Sequence, residues 1–228
     1  MSTLADNLNT LAARIQRAAE AAGRAPASVK LLAVSKTKPA SAVRELYAAG
    51  ARDVGENYLQ EALGKQAELA DLPLTWHFIG PIQSNKTRAI AENFDWVHSV
   101  DRLKIAQRLS EQRPTDCEPL NICLQVNVSG EASKSGCSPD ELPALVAAVQ
   151  ALPNVRLRGL MAIPEPTEDR AEQEQAFARL RLLLEQVDPR LDTLSMGMSH
   201  DLEAAIAQGA TWVRIGTALF GARDYGAV

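Results

Sequence analysis

A chain of 228 residues, 46% of them hydrophobic, can bury one large core or two small ones, and its net charge of −4 offers no basic face for nucleic acid. Three cysteines (Cys117, Cys123, Cys137) without CxxC spacing and three scattered histidines (His77, His98, His200) argue against a disulfide framework and a metal centre. No leader pattern and no apolar run of membrane-spanning length is visible, so the expectation is a cytoplasmic protein without a membrane partner.

Leu4, Leu8, Leu11 and Ile15 share one face of a helix that runs to about residue 22, where Gly23 stops it. Residues 29–35 read as a strand, because the unbroken apolar run Leu31–Val34 suits burial on both faces of a parallel sheet. A helix over 40–49 follows, ended by Gly50, then a strand over 52–55 and a helix over 57–70. The alternation continues with strands at 74–79, 95–99 and 120–128 and helices at 84–93, 101–112 and 139–151. It closes with a strand at 155–161, a helix at 168–186, a strand at 192–196, a helix at 200–208 ended by Gly209, and a strand at 212–216. The polar, proline-containing loop 164–169 reads as the segment best suited to move. Eight strands in strict alternation imply parallel pairing with right-handed crossovers. In a chain of this length that suits a single (β/α)8 TIM barrel with an extra N-terminal helix, one domain over residues 1–228.

Barrels of this kind place their chemistry at the C-terminal ends of the strands. Lys36 stands where the first strand leaves the core. Partial desolvation there disfavours the ammonium, so the neutral amine becomes available for a Schiff base with an aldehyde or ketone. The plainer reading is a lysine that snorkels into water. Asn57 and His77 sit at the ends of the second and third strands, although His77, between Trp76 and Phe78, also reads as a packed core histidine. Met198 and Ser199 follow strand seven, and Arg214, Gly216 and Thr217 end strand eight. Gly197 and Gly216 let backbone approach a ligand, and Ser199 and Thr217 stand at expected helix starts, a pattern that suits phosphate as well as ordinary capping. An aldehyde at Lys36 and a phosphate at strands seven and eight describe the two ends of pyridoxal 5'-phosphate. Arg214 could face its ring nitrogen, face its phosphate, or form a strand-end ion pair. Lys38, Lys86 and Lys134 lie near the mouth and could depress the Lys36 pKa or hold anions. Glu45, Glu61 and the Glu172/Glu174 pair read as solvated helix faces. Ser199-His200-Asp201 spells a triad, but consecutive side chains diverge and cannot relay a proton.

Five runs carry a resemblance: Leu32–Pro39, Gly55–Tyr58, His77–Lys86, Arg158–Pro164 and Val213–Gly221, together with Ser133–Gly136. They resemble the pyridoxal phosphate homeostasis protein family over essentially the whole chain. The resemblance implies a barrel similar to the N-terminal domain of alanine racemase, with a role in vitamin B6 homeostasis and no established catalysis. It implies Lys36 as the Schiff-base residue and Ser199, Gly216 and Thr217 as phosphate ligands. His200 departs from it, since an acidic residue is implied there. The expected function is that of a cofactor carrier or buffer, a monomer serving apo-enzymes that need pyridoxal phosphate. The chain ends soon after the eighth strand, which leaves no room for the second, site-closing domain of fold-type III racemases. The rival readings are a weak amino-acid racemase and a class I aldolase that needs no pyridoxal phosphate.

Overall fold

In the computed structural model, which describes residues 3–130 and 135–221, the alternating runs wind into a closed eight-stranded parallel barrel. The strands are β1 (Lys30–Val34), β2 (Asp53–Glu56), β3 (Thr75–Phe78), β4 (Trp96–Val100), β5 (Leu120–Gln125), β6 (Val155–Met161), β7 (Thr193–Ser195) and β8 (Trp212–Ile215). Each pairs with its neighbour in sequence, and β1 closes the ring on β8 through Lys30↔Trp212 to Ala33↔Ile215. The helices are α1 (Leu4–Ala21), α2 (Ala40–Ala48), α3 (Leu59–Glu68), α4 (Thr87–Asn93), α5 (Leu103–Gln112), α6 (Leu142–Gln150), α7 (Arg170–Val187), α8 (Leu202–Ala207) and α9 (Thr217–Phe220). No helix among the described residues is long and apolar enough to cross a membrane.

Strand alternation sorts the side chains. On β1, Leu32 and Val34 join Ile79 and Trp212 in a cluster inside the barrel, while Ala33 belongs to the larger core between sheet and helices. Lys36, two residues past Val34, continues the inward parity and arrives at the barrel mouth. A second interior cluster joins Trp96, Cys123 and Met161. Burial pushes the Cys123 thiol up to about 12, so it stays protonated.

The element boundaries differ from expectation where side chains or backbone intervene. β5 stops at Gln125 instead of 128, because Val126 turns away to bridge Cys137. A 3-10 turn over Ser84–Lys86 takes up the expected start of α4. The four-residue α9 lies beyond the last expected element. Gly50 and Gly209 adopt φ of +110° and +99° directly after their helices, as a left-handed stop requires. In the loop expected to move, Asp169 caps α7 by accepting from the N–H groups of Ala171 and Glu172.

Candidate functional site

The strand ends enclose a cavity of about 200 Å³ at the C-terminal mouth. Lys36, Asn57, Met198, Ser199, Arg214, Gly216 and Thr217 line it, with Val34, Ile79, Ile163 and His200. It is smaller than the roughly 300–1,000 Å³ typical of drug-sized ligands, so it suits one small molecule. A larger groove, about 620 Å³, opens at the N-terminal ends of β1 and β2 under α1. Barrel chemistry belongs at the opposite face, so size does not locate this site.

The β1 wall is held by charge. Lys65 on α3 is buried and its Nζ donates to the Ser35 carbonyl (2.6 Å), Glu56 Oε1 (2.7 Å) and Glu61 Oε1 (2.6 Å). The Ser35 hydroxyl donates to Glu56, and the Thr37 N–H donates to Glu61 at 2.6 Å. Both neighbours of Lys36 are therefore fixed. Thr37 adopts φ of +64°, a left-handed conformation that costs a β-branched residue energy and turns the chain sharply off the strand. Burial lifts the Glu56 carboxyl above its ordinary range, outweighing the pull of Lys65 and Ser35. The expectation of a solvated Glu61 is corrected: as the i−4 neighbour of Lys65 it completes this cluster.

The β7/β8 wall is held by the N-terminal helix. Arg14 on α1 donates from Nη1 to the Ser199 carbonyl at 2.9 Å and clasps Glu203 on α8 with Nε and Nη2. Asn7 donates to the Leu219 carbonyl at 2.8 Å. The Ser199 hydroxyl accepts from the Ala218 N–H at 3.3 Å, joining the two loops. Ser199 does not start a helix. It lies in a turn closed by the Met198 N–H donating to Asp201 Oδ1 at 2.6 Å, and α8 begins at Leu202. Thr217 does open α9 and is exposed at the cavity rim. Gly197 is absent from the cavity lining: at φ of +97°, an added Cβ would lie 2.5 Å from the Ala205 methyl, so this glycine serves the packing of α8. His200 sits exposed on the rim with Nε2 3.4 Å from Asp201 Oδ2.

Arg214 reaches the cavity from within the barrel. Its Nη1 donates to Ser195 Oγ and its Nη2 to the Ala162 carbonyl, both at 2.9 Å. Burial brings its pKa down to about 10, so it remains a cation near neutral pH. Among the described residues no carboxylate lies within ion-pair distance of it, which corrects the strand-end ion-pair reading. Asn57 presents a buried Oδ1 that no donor meets. Its backbone is set by Gly80, where a Cβ would fall 2.2 Å from the Asn57 carbonyl oxygen. His77 does not belong to the lining: it is fully buried one layer below, between Asp53 and His98. Lys38 borders a small adjoining cleft with Thr37 and Thr217, Lys86 lies in a 3-10 turn away from the lining, and Lys134 falls outside the described residues.

A half-buried amine, a buried cation, an unmet amide oxygen and hydroxyl donors around one small cavity fit a flat ligand bearing an aldehyde and an anion. Residues 7–224 match the family described as alanine racemase, N-terminal domain. A pyridoxal phosphate homeostasis protein of Pseudomonas aeruginosa is 78% identical over 227 residues, covering 100% of this chain and 99% of its own. The chain belongs to the pyridoxal phosphate homeostasis protein family. The Escherichia coli K12 member is 53% identical over 235 residues, covering 99% of each chain. The solved structure of PipY from Synechococcus elongatus with PLP bound superposes with a TM-score of 0.83 at 45% identity, covering 96% of this chain and all of PipY (100%). Alanine racemase from Corynebacterium glutamicum superposes with a TM-score of 0.67 at 20% identity, over 97% of this chain and 63% of the racemase, which shows a shared barrel fold.

Proposed function

We propose that this protein holds pyridoxal 5'-phosphate in the C-terminal cavity, buffers it and passes it to apo-enzymes, and does not turn over amino acids. The observation that carries the reading is the composition of one small cavity: Lys36 at the end of β1, Gly216 and Thr217 beside it at the end of β8, Ser199 after β7, and Arg214 reaching in from β8. When bound, the cofactor supplies an aldehyde that condenses with amines and a phosphate that anchors it. Lys36 would hold the aldehyde carbon, and the cluster around Ser35 and Thr37 keeps its backbone in place. Thr217, Ser199 and the backbone at Gly216 would take the phosphate at the ends of β7 and β8. Asn57 Oδ1 would accept from a ligand hydroxyl. Arg214 offers only donors, so it suits a ring nitrogen that remains a bare acceptor. A donor that never gives up its proton keeps that nitrogen unprotonated and leaves the ring a weak electron sink, which supports holding over turnover. The names of the relatives and the PLP-bound PipY support the same reading. We place the protein in the cytoplasm as a monomer.

An absorption spectrum of the purified protein with and without added pyridoxal phosphate tests the binding. Borohydride reduction and peptide mapping should then put the pyridoxyl label on Lys36, and Lys36→Ala should lose it while remaining folded. A label confined to other lysines would overturn the assignment. Loaded protein should restore activity to a pyridoxal-phosphate-dependent apo-enzyme, with alanine racemization near background. Racemization of several per second that vanishes in Lys36→Ala would establish the racemase instead.

A further inference from the structure

The barrel interior contains a polar chain below the cavity. Asp53 opens β2 and shares the inward parity of Gly55 and Asn57. Its Oδ1 lies 3.0 Å from His77 Nε2, and His77 Nδ1 lies 2.9 Å from His98 Nε2. His98 Nδ1 lies 2.7 Å from Ser195 Oγ, the atom that accepts from Arg214. His77, His98 and Ser195 are all 0% exposed. His77 stacks on Trp96 with ring centroids 5.6 Å apart and meets the edge of Trp212 at 4.9 Å, so its ring is held from two sides. The chain joins the N-terminal end of β2 to the cavity, a span of about 13 Å at roughly 3.3 Å per residue.

Its two ends fix its direction. Arg214 has only donors, so Ser195 Oγ accepts from it and has one hydrogen to give. Ionised Asp53 has only lone pairs, so the hydrogen of neutral His77 sits on Nε2 and its Nδ1 accepts. His98 must then donate from Nε2 and accept at Nδ1 from Ser195. With a carboxylate at Asp53 and both rings neutral, one arrangement satisfies every contact: Arg214 to Ser195, Ser195 to His98, His98 to His77, His77 to Asp53. The reverse order sets lone pair against lone pair at Asp53. The charges around the rings are Asp53, Asp95 and Lys30 near His77, and Arg214 near His98.

We propose that Asp53, at the far end of the barrel from the cavity, is a positioning residue for the cofactor site: through His77, His98 and Ser195 it sets the hydrogen-bond direction that holds Arg214 at the cavity floor. The chain rests on geometry, and its consequence for the cofactor rests on the function proposed above. What matters at position 53 is a group that accepts and cannot donate: Asp53→Leu removes the acceptor, and Asp53→Asn offers an amide that can turn to donate, so in both variants the two directions compete.

Long-range ¹H–¹⁵N NMR of the histidine side chains reads the arrangement in the full-length protein without added cofactor. His200→Gln identifies the third imidazole. Wild type should show His77 and His98 neutral with the hydrogen on Nε2. Asp53→Leu should mix the tautomers at both rings. Its affinity for pyridoxal phosphate should fall at least about twofold, the low end of coupling within one hydrogen-bond network. That fall should disappear in a Ser195→Ala background, where the chain is already cut. A hydrogen on Nδ1 of either ring in wild type overturns the proposal without need of any variant. So does an unchanged His98 tautomer in folded Asp53→Leu, or an affinity loss that survives Ser195→Ala. If no variant and no wild type binds pyridoxal phosphate, the function proposed above falls and the positioning role of Asp53 falls with it, while the tautomers still decide the chain.

Discussion

Two buried polar networks support the cavity from opposite sides of the β-sheet, and they solve burial differently. The outer one, between β2 and α3, packs an ammonium against two carboxylates and grips backbone on both sides of Lys36. The inner one separates its formal charges to the two ends, Asp53 and Arg214, with neutral groups between. A charge taken out of water must be met at close range or kept near an exit, and the two networks illustrate one answer each. Asp53 keeps a side chain 27% exposed, whereas Glu56 has none of its surface in water (0%). Close charge compensation gives the outer network rigidity. The inner one instead transmits a directional preference over several residues.

The contrast is broken most forcefully at Lys65. Lys65→Met leaves Glu56 buried without its partner and should cost about 3–5 kcal/mol, read as a lower guanidinium midpoint at unchanged slope. Replacing the pair together, Lys65→Met with Glu56→Gln, should recover much of that loss. Acid should next distinguish the networks by sign. Burial depresses both histidines below 6.5 in the fold, His98 the further, so the unfolded chain takes up protons first. Stability should therefore be lost as pH falls below 6.5, by up to about 1.4 kcal/mol per pH unit for each ring, or about 2.7 while both contribute, each contribution ending where that ring protonates in the fold and His98 lasting the longer. His98→Asn should remove roughly half of that slope. Glu56 leans the other way: its raised carboxyl is protonated earlier in the fold than the unfolded value of 4.5, so it regains some stability as pH falls through its own range. Denaturant midpoints measured from pH 7.5 to 4.5 check both slopes. At the cavity, Thr217→Val keeps volume but removes a hydroxyl, and a lost bond to a charged group costs about 1.5–3 kcal/mol, so pyridoxal phosphate affinity should drop roughly ten- to hundredfold. Equal affinity of the wild type for pyridoxal and its phosphate would show that this wall is not the anion site. The smallest effect belongs to Arg14→Ala. Its ion pair with Glu203 is partly solvated, with side chains 30% and 35% exposed, so stability should fall by no more than about 1 kcal/mol. Loss of the donor to the Ser199 carbonyl should weaken cofactor affinity by roughly two- to tenfold, measurable by fluorescence titration.

Periodicity made the barrel legible because buried parallel strands are written as local apolar runs, and all eight appear within a few residues of their expected positions. Lys36 was legible for the same reason, since counting in twos from Leu32 through Val34 leads to it. The supports were not. Lys65 and Glu61 are spaced as any exposed helical pair, and only the approach of Ser35 and Glu56 from a strand converts them into a cluster. Arg14 reaches its acceptor 185 positions away, a distance at which local pattern carries no signal. Ser199 precedes an apolar run, which predicts a helix start, yet the Asp201 carboxylate captures the Met198 N–H and delays the helix to Leu202. His77 was ambiguous because parity points it inward without saying at which depth, and depth separates a cavity wall from a layer beneath it.

The grip of α1 on the last loops also has a meaning in time. Asn7 and Arg14 are synthesised long before their acceptors at Leu219 and Ser199, which follow them by 212 and 185 positions. β1 likewise waits for β8 to close the ring. α1 therefore waits, while the intervening strands are made, for its partners on α8 and α9, with only the early contacts to α2 and residues 26–28 to cover part of its apolar face. The β7/β8 wall of the cavity can form only after β8 emerges, so a nascent chain has Lys36 in hand long before it has the loops that stand beside it.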